Sequence, residues 1–154
     1  MKKLLFTLFV LSLSISLLGC NNVEEKRAEN AMEKYYQALV EGDYETAFKE
    51  LYLYEESFSN GQISLTNAEA QTIYLKKTKY LKNQDYKIKD FKILEIEYED
   101  GNSFWHHVNI EIELNGETIN YKEQAFFHEG KLKVSGDDPY IQYRDGKLNV
   151  ELNK

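Results

Sequence analysis

His106, His107 and Glu123 lie in one stretch, FWHHVNIEIELNGETINYKEQAFF (Phe104 to Phe127). Two adjacent imidazoles are a candidate metal pair, because imidazole nitrogen is a common zinc ligand. An imidazole held by a carboxylate is instead a candidate general base poised near neutral pH. His128 abuts Glu129-Gly130, a turn signal, and is expected to be exposed. Asp90 falls at a break in strand alternation, the mark of a β-bulge. Asp137-Asp138-Pro139 is a carboxylate-bearing turn that suits a cation or an ordinary chain reversal. Tyr35, Tyr74 and Tyr80 can pack as core or line a ligand pocket. The chain has no G-x-S-x-G, H-E-x-x-H, phosphate-binding glycine loop or CxxC. No metal or cofactor is expected.

Strand alternation decides which of these groups can meet. If Asn115-Gly116 is a two-residue hairpin turn, Leu114 faces Glu117. Phe104 then opposes Phe127, His106 opposes Ala125, Val108 opposes Glu123, Ile110 opposes Tyr121 and Ile112 opposes Ile119. The other set pairs Trp105 with Phe126, His107 with Gln124 and Asn109 with Lys122. One face is apolar and the other polar, which fixes the register. A second turn at Glu129-Gly130 brings Leu132 to Phe127 and Val134 to Ala125. A loop from Glu99 to Ser103 sets Tyr98 opposite Phe104, Ile96 opposite His106 and Leu94 opposite Val108. His106 therefore points inward and His107 outward, so the two cannot converge on one ion. Glu123 shares the inner face with His106 as a diagonal neighbour, about 7–8 Å away at the backbone. The pair is a candidate acid–base site or a structural buried pair.

Helices precede the strands. Ala28, Ala31, Met32, Tyr35, Ala38 and Leu39 form one helical stripe, ended by Gly42 and followed by Asp43 as the next N-cap. Tyr44, Ala47, Phe48 and Leu51 form a second. After a polar loop from Glu55 to Ser64, Thr66 to Glu69 is a capping box opening a third, with Ala70, Ile73, Tyr74, Tyr80 and Leu81. Helices followed by an antiparallel meander make an α+β domain. The closing YIQYRDGKLNVELNK, with its Asp145-Gly146 turn signal, reads as an extra C-terminal hairpin.

The chain opens MKKLLFTLFVLSLSISLLGC: two lysines, then a short apolar run too brief to span a bilayer comfortably. Leu17-Leu18-Gly19-Cys20 resembles the lipobox of bacterial lipoproteins. The resemblance implies cleavage of residues 1–19, acylation of the Cys20 thiol (palmitate is a typical chain) and attachment at the extracytoplasmic face of the membrane. Residues 20–27 then form a tether and 28–154 the domain. Cys20 is the chain's one cysteine, so no intrachain disulfide is available and packing alone must hold the domain. Removal of Lys2 and Lys3 leaves 17 basic against 26 acidic residues, a charge of −9. That balance argues against nucleic acid and against adhesion to anionic headgroups beyond the covalent anchor.

The segment AMEKYYQALVEGDYETAF, Ala31 to Phe48, with a third helix and a meander after it, resembles the NTF2-like (cystatin-like roll) superfamily. It is most similar to small lipoproteins of low-G+C Gram-positive bacteria and to the domain preceding the transpeptidase in some penicillin-binding proteins. The resemblance implies a sheet curled into a cone around helices. It leaves three functions open. One is a non-enzymatic binding domain for a small apolar ligand or a cell-envelope protein. Another is an isomerase- or dehydratase-like acid–base enzyme using His106 and Glu123. The third is an accessory module of cell-wall synthesis.

Overall fold

Helix α1 (residues 23–41) buries Ala28, Ala31, Met32, Tyr35, Tyr36, Ala38 and Leu39, the expected stripe with Tyr36 added. It is seen in a computed structural model that describes residues 23–55, 63–99 and 103–150. The signal-like run, Cys20 and parts of the two predicted loops and of the C-terminal hairpin lie outside the described residues. Residues 23–27, expected to be tether, are helical. Gly42 ends α1 at φ +73°, a left-handed conformation glycine adopts without strain. The Asp43 side chain then accepts from Thr46 N (3.1 Å) and caps α2 (Tyr44–Glu50). Helix α3 (Asn67–Asn83) opens with the predicted Thr66–Glu69 capping box. Its buried stripe is Ala70, Tyr74, Lys77, Thr78 and Leu81, so two polar residues occupy core positions. Among the described residues no helix is long and apolar enough to cross a membrane.

Strands β1 (Tyr86–Tyr98), β2 (Phe104–Leu114), β3 (Glu117–His128) and β4 (Lys131–Gly136) form one antiparallel sheet in sequence order. With the three helices this is the expected α+β class. The β2–β3 and β3–β4 registers are those the turns predict, including Val108 with Glu123 and Ala125 with Val134. Asn115-Gly116 and Glu129-Gly130 all have positive φ, as two-residue turns of this hand require. The alternation places Val108, Ile110, Ile112 and Leu132 at 0 % exposure under the helices. Each such side chain contributes about 1.5–3 kcal/mol by leaving water.

Strand β1 departs from expectation in one place. The register shifts near Asp90, as predicted, and again between Ile93 and Ile96. Ile93, not Leu94, therefore meets Val108, and Leu94 is left 47 % exposed. An extra residue on one strand bends it and raises its twist, so the two bulges bend β1.

The C-terminal segment also differs. Among the described residues no strand pairing forms about Asp145-Gly146; the chain there makes a 3-10 turn at Ile141–Tyr143 and a parallel bridge from Lys147 to Tyr54. Tyr54 N donates to Gly146 O (3.1 Å) and Leu148 N to Tyr54 O (2.9 Å), while Tyr52 N donates to Leu132 O (2.8 Å). Asp145 is not at a turn tip in water because its carboxylate is drawn inward to Lys77.

Candidate functional site

Glu123 is where strand alternation put it, on the inner face and 1 % exposed. Its partner is Arg144, carried in by the C-terminal segment and itself 0 % exposed. Arg144 Nη1 donates to Glu123 Oε2 (3.2 Å), and Nη2 donates both to Glu123 Oε1 and to Asp138 Oδ2 (2.6 Å). Arg144 Nε donates to the Tyr86 hydroxyl (3.0 Å), which donates in turn to Asp138 Oδ2 (2.7 Å). From α1 the Tyr36 hydroxyl donates to Glu123 Oε2 (2.8 Å). The Arg144 carbonyl accepts from Tyr35 (2.8 Å) and Tyr74 (3.2 Å). One segment is thus tied to two helices and two strands.

The electrostatics follow from this bonding. Burial pulls the Arg144 pKa down, but Glu123 and the Tyr86 and Tyr35 hydroxyls outweigh it and hold the guanidinium well above its usual value. Burial pushes the Tyr36 and Tyr74 hydroxyls well up, so both remain neutral donors. A second buried pair lies beside the first. Lys77 Nζ donates to Asp145 Oδ1 (3.1 Å), to the Asp145 carbonyl (3.1 Å) and to the Lys147 carbonyl, while Tyr54 donates to Asp145 Oδ2 (3.0 Å). Burial lowers the Lys77 pKa and raises that of Asp145, each partly offset by the other's charge. Desolvation therefore exceeds the mutual attraction at both ends of this pair.

Glu123 and His106 do not pair. A carboxylate gains more from a bidentate charged guanidinium than from a neutral imidazole reached diagonally across the hairpin. His106, 1 % exposed, has no hydrogen-bond partner at Nδ1 or Nε2 among the described residues and meets Phe104 edge-on at 5.5 Å. His107 faces out, as alternation requires, with Nε2 2.8 Å from Glu97 Oε2. His128 is half-buried rather than free at its turn, between the Tyr52 and Phe126 rings. Asp138, read as part of a surface turn, is 1 % exposed and belongs to the Arg144 cluster. Asp90 is exposed at the bulge and accepts from Phe91 N (2.9 Å). Tyr35 and Tyr74 are core and Tyr80 is half-buried against Tyr143 at 4.4 Å. Among the described residues no group of three or more histidine, cysteine or acidic side chains is arranged to hold a metal ion.

The unpartnered His106 has a measurable consequence. Burial holds its pKa below 6.5, with Glu29 and Glu25 on α1 partly opposing the shift. As pH falls, the unfolded chain takes up the proton first. The stability tied to the neutral ring is therefore complete above about 6.5 and lost as pH falls through the depressed folded value. His106→Leu deletes no hydrogen bond and should raise stability at pH 7 by about 1 kcal/mol. It should also flatten the loss of stability between pH 7 and 5, read by urea unfolding at a series of pH values. An acid slope as steep as wild type would place the titration elsewhere.

Sequence reading missed Arg144, Asp138, Lys77 and Asp145 as a set. The available signal was Glu123 on an otherwise apolar strand face, since a buried carboxylate demands a cation. No protein-family model matches the chain, and no curated protein matches it in sequence.

Proposed function

We propose that this chain is a lipid-anchored extracytoplasmic lipoprotein whose NTF2-like domain is a non-enzymatic module that binds a cell-envelope partner at its surface. The anchor rests on the Leu17-Leu18-Gly19-Cys20 lipobox. The roll is supported by three helices preceding a four-stranded meander whose first strand is bent by two bulges.

The observation carrying the surface-binding half is the occupied inner face. Where a small-molecule site of this architecture would lie, the chain's own Arg144 is clamped by Glu123 and Asp138, all at or below 1 % exposure. A ligand entering there would have to expel a charged, hydrogen-bonded segment and leave two carboxylates unpaired.

Growth with an alkynyl fatty acid, followed by membrane isolation and amide hydrogen exchange, tests both halves. Fatty-acid label that disappears in Cys20→Ser is expected, with label-free variant recovered outside the membrane. Slow exchange over residues 141–148 should persist in the presence of envelope metabolites. Unlabelled wild type in the medium would sink the anchor, and a metabolite that frees residues 141–148 would move binding to the interior.

A further inference from the structure

One end of the sheet carries aromatic side chains that the Arg144 cluster does not use. Tyr98, 59 % exposed, closes β1 and donates its hydroxyl to Glu25 (2.9 Å), which fixes the start of α1 at that end. Val23, 50 % exposed, is the first described residue of α1. At the same end Phe104 opens β2, His128 closes β3 and Lys131 opens β4. On the outer face there, Trp105 packs on Phe126 at 4.8 Å, Phe126 on His128 at 5.9 Å, and His128 on Tyr52 at 5.4 Å. Lys133 lies over the Tyr52 ring at 4.4 Å.

Chain length says what this end must face. Because α1 is already helical at residue 23, only Asn21 and Asn22 separate it from Cys20. Three residue steps reach at most about 11 Å. An acylated Cys20 therefore holds the first turn of α1, and the end of β1 bonded to it through Tyr98, against the bilayer. The headgroup layer of one leaflet is roughly 5–7 Å deep. Trp105 and Phe126 lie within two residues of their strand ends, about 7 Å. Tryptophan and tyrosine favour that layer because an apolar ring carries a polar tip.

We propose that this end of the domain rests on the lipid surface, with Val23, Tyr98, Trp105, Phe126 and Tyr52 in the headgroup layer. The placement rests on the Cys20 attachment proposed above. Glu24, Glu25, Glu97 and Glu129 share this end, so the rings and the short tether hold it more than net charge does. Its salt dependence is accordingly small.

Trp105 is the chain's one tryptophan and reports the contact directly. The full-length lipidated protein is incorporated into phosphatidylglycerol–phosphatidylcholine vesicles, with or without brominated acyl chains. Trp105 emission should shift to the blue and fall at least twofold with the brominated lipid, in 0.1 M and 0.5 M salt alike. Tyr98→Ser with Val23→Ser should relieve part of that quenching. Wild type that floats with the vesicles but is not quenched overturns the placement and leaves the anchor standing. Wild type that does not float overturns the anchor and the placement with it. An unquenched Trp105 whose emission moves on adding isolated peptidoglycan overturns it in favour of a wall glycan.

Discussion

Arg144→Met should destabilise the domain by about 3–5 kcal/mol, because it strands Glu123 and Asp138 as buried charges without a cation. Whole domains have only about 5–15 kcal/mol of stability, so the variant is expected to be largely unfolded or close to it at 37 °C. Glu123→Gln should cost less, about 1.5–3 kcal/mol, since Arg144 keeps Asp138 and the Tyr86 hydroxyl. Replacing Arg144, Glu123 and Asp138 together by apolar residues of similar volume should recover much of the loss. That recovery separates charge from packing, because the single variant also removes a buried side chain. Urea unfolding of the four proteins decides it. A loss below 1 kcal/mol in Arg144→Met would mean that water reaches the two carboxylates.

Gly146→Ala should be as damaging through geometry alone. A Cβ built there falls 1.8 Å from the Tyr52 carbonyl oxygen and 2.9 Å from its carbonyl carbon. Both are backbone atoms, so no rotamer change relieves the overlap. The segment must move off residues 52–54, breaking the Tyr54–Gly146 and Leu148–Tyr54 bonds and drawing Asp145 away from Lys77. Overpacking commonly costs 1–3 kcal/mol where side chains can yield. Here the backbone cannot yield, and about 3 kcal/mol or more is expected. Gly116→Ala is the contrast: its φ is +83° but nothing lies within 4 Å of the new atom, so about 1–2 kcal/mol of backbone strain is all it should cost. Thermal melts and limited proteolysis of the C-terminal segment check both. A Gly146→Ala protein that melts like wild type would refute the close approach.

Those two residues mark where sequence reading stopped. The hairpin registers were legible because side chains alternate with a period of two, and a slip of one residue would have turned every apolar group outward. Helix caps were legible for the same local reason: Asp43 and Thr66 bond to amides three residues away. The bulge at Asp90 showed as a break in alternation. The one beyond Ile93 did not, because Leu94 and Ile96 keep an apolar alternation across it. Lys77 sits at a helical core position between Tyr74 and Leu81, yet lysine reads as solvent-facing until Asp145 is known to lie opposite.

The sequence by itself determined the helix and strand order, the β2–β3 and β3–β4 registers, the outward turn of His107 and the inward turn of His106 and Glu123. Each of these depends on neighbours a few residues apart or on a turn that fixes its own hairpin. Only the tertiary structure decided which cation answers Glu123, that the described part of the C-terminal segment carries Arg144 to the inner face, and that His106 has no hydrogen-bond partner among the described residues. Those outcomes are set by competition among distant groups for one buried space, where a bidentate charged contact wins over a neutral one, and no local periodicity records the contest.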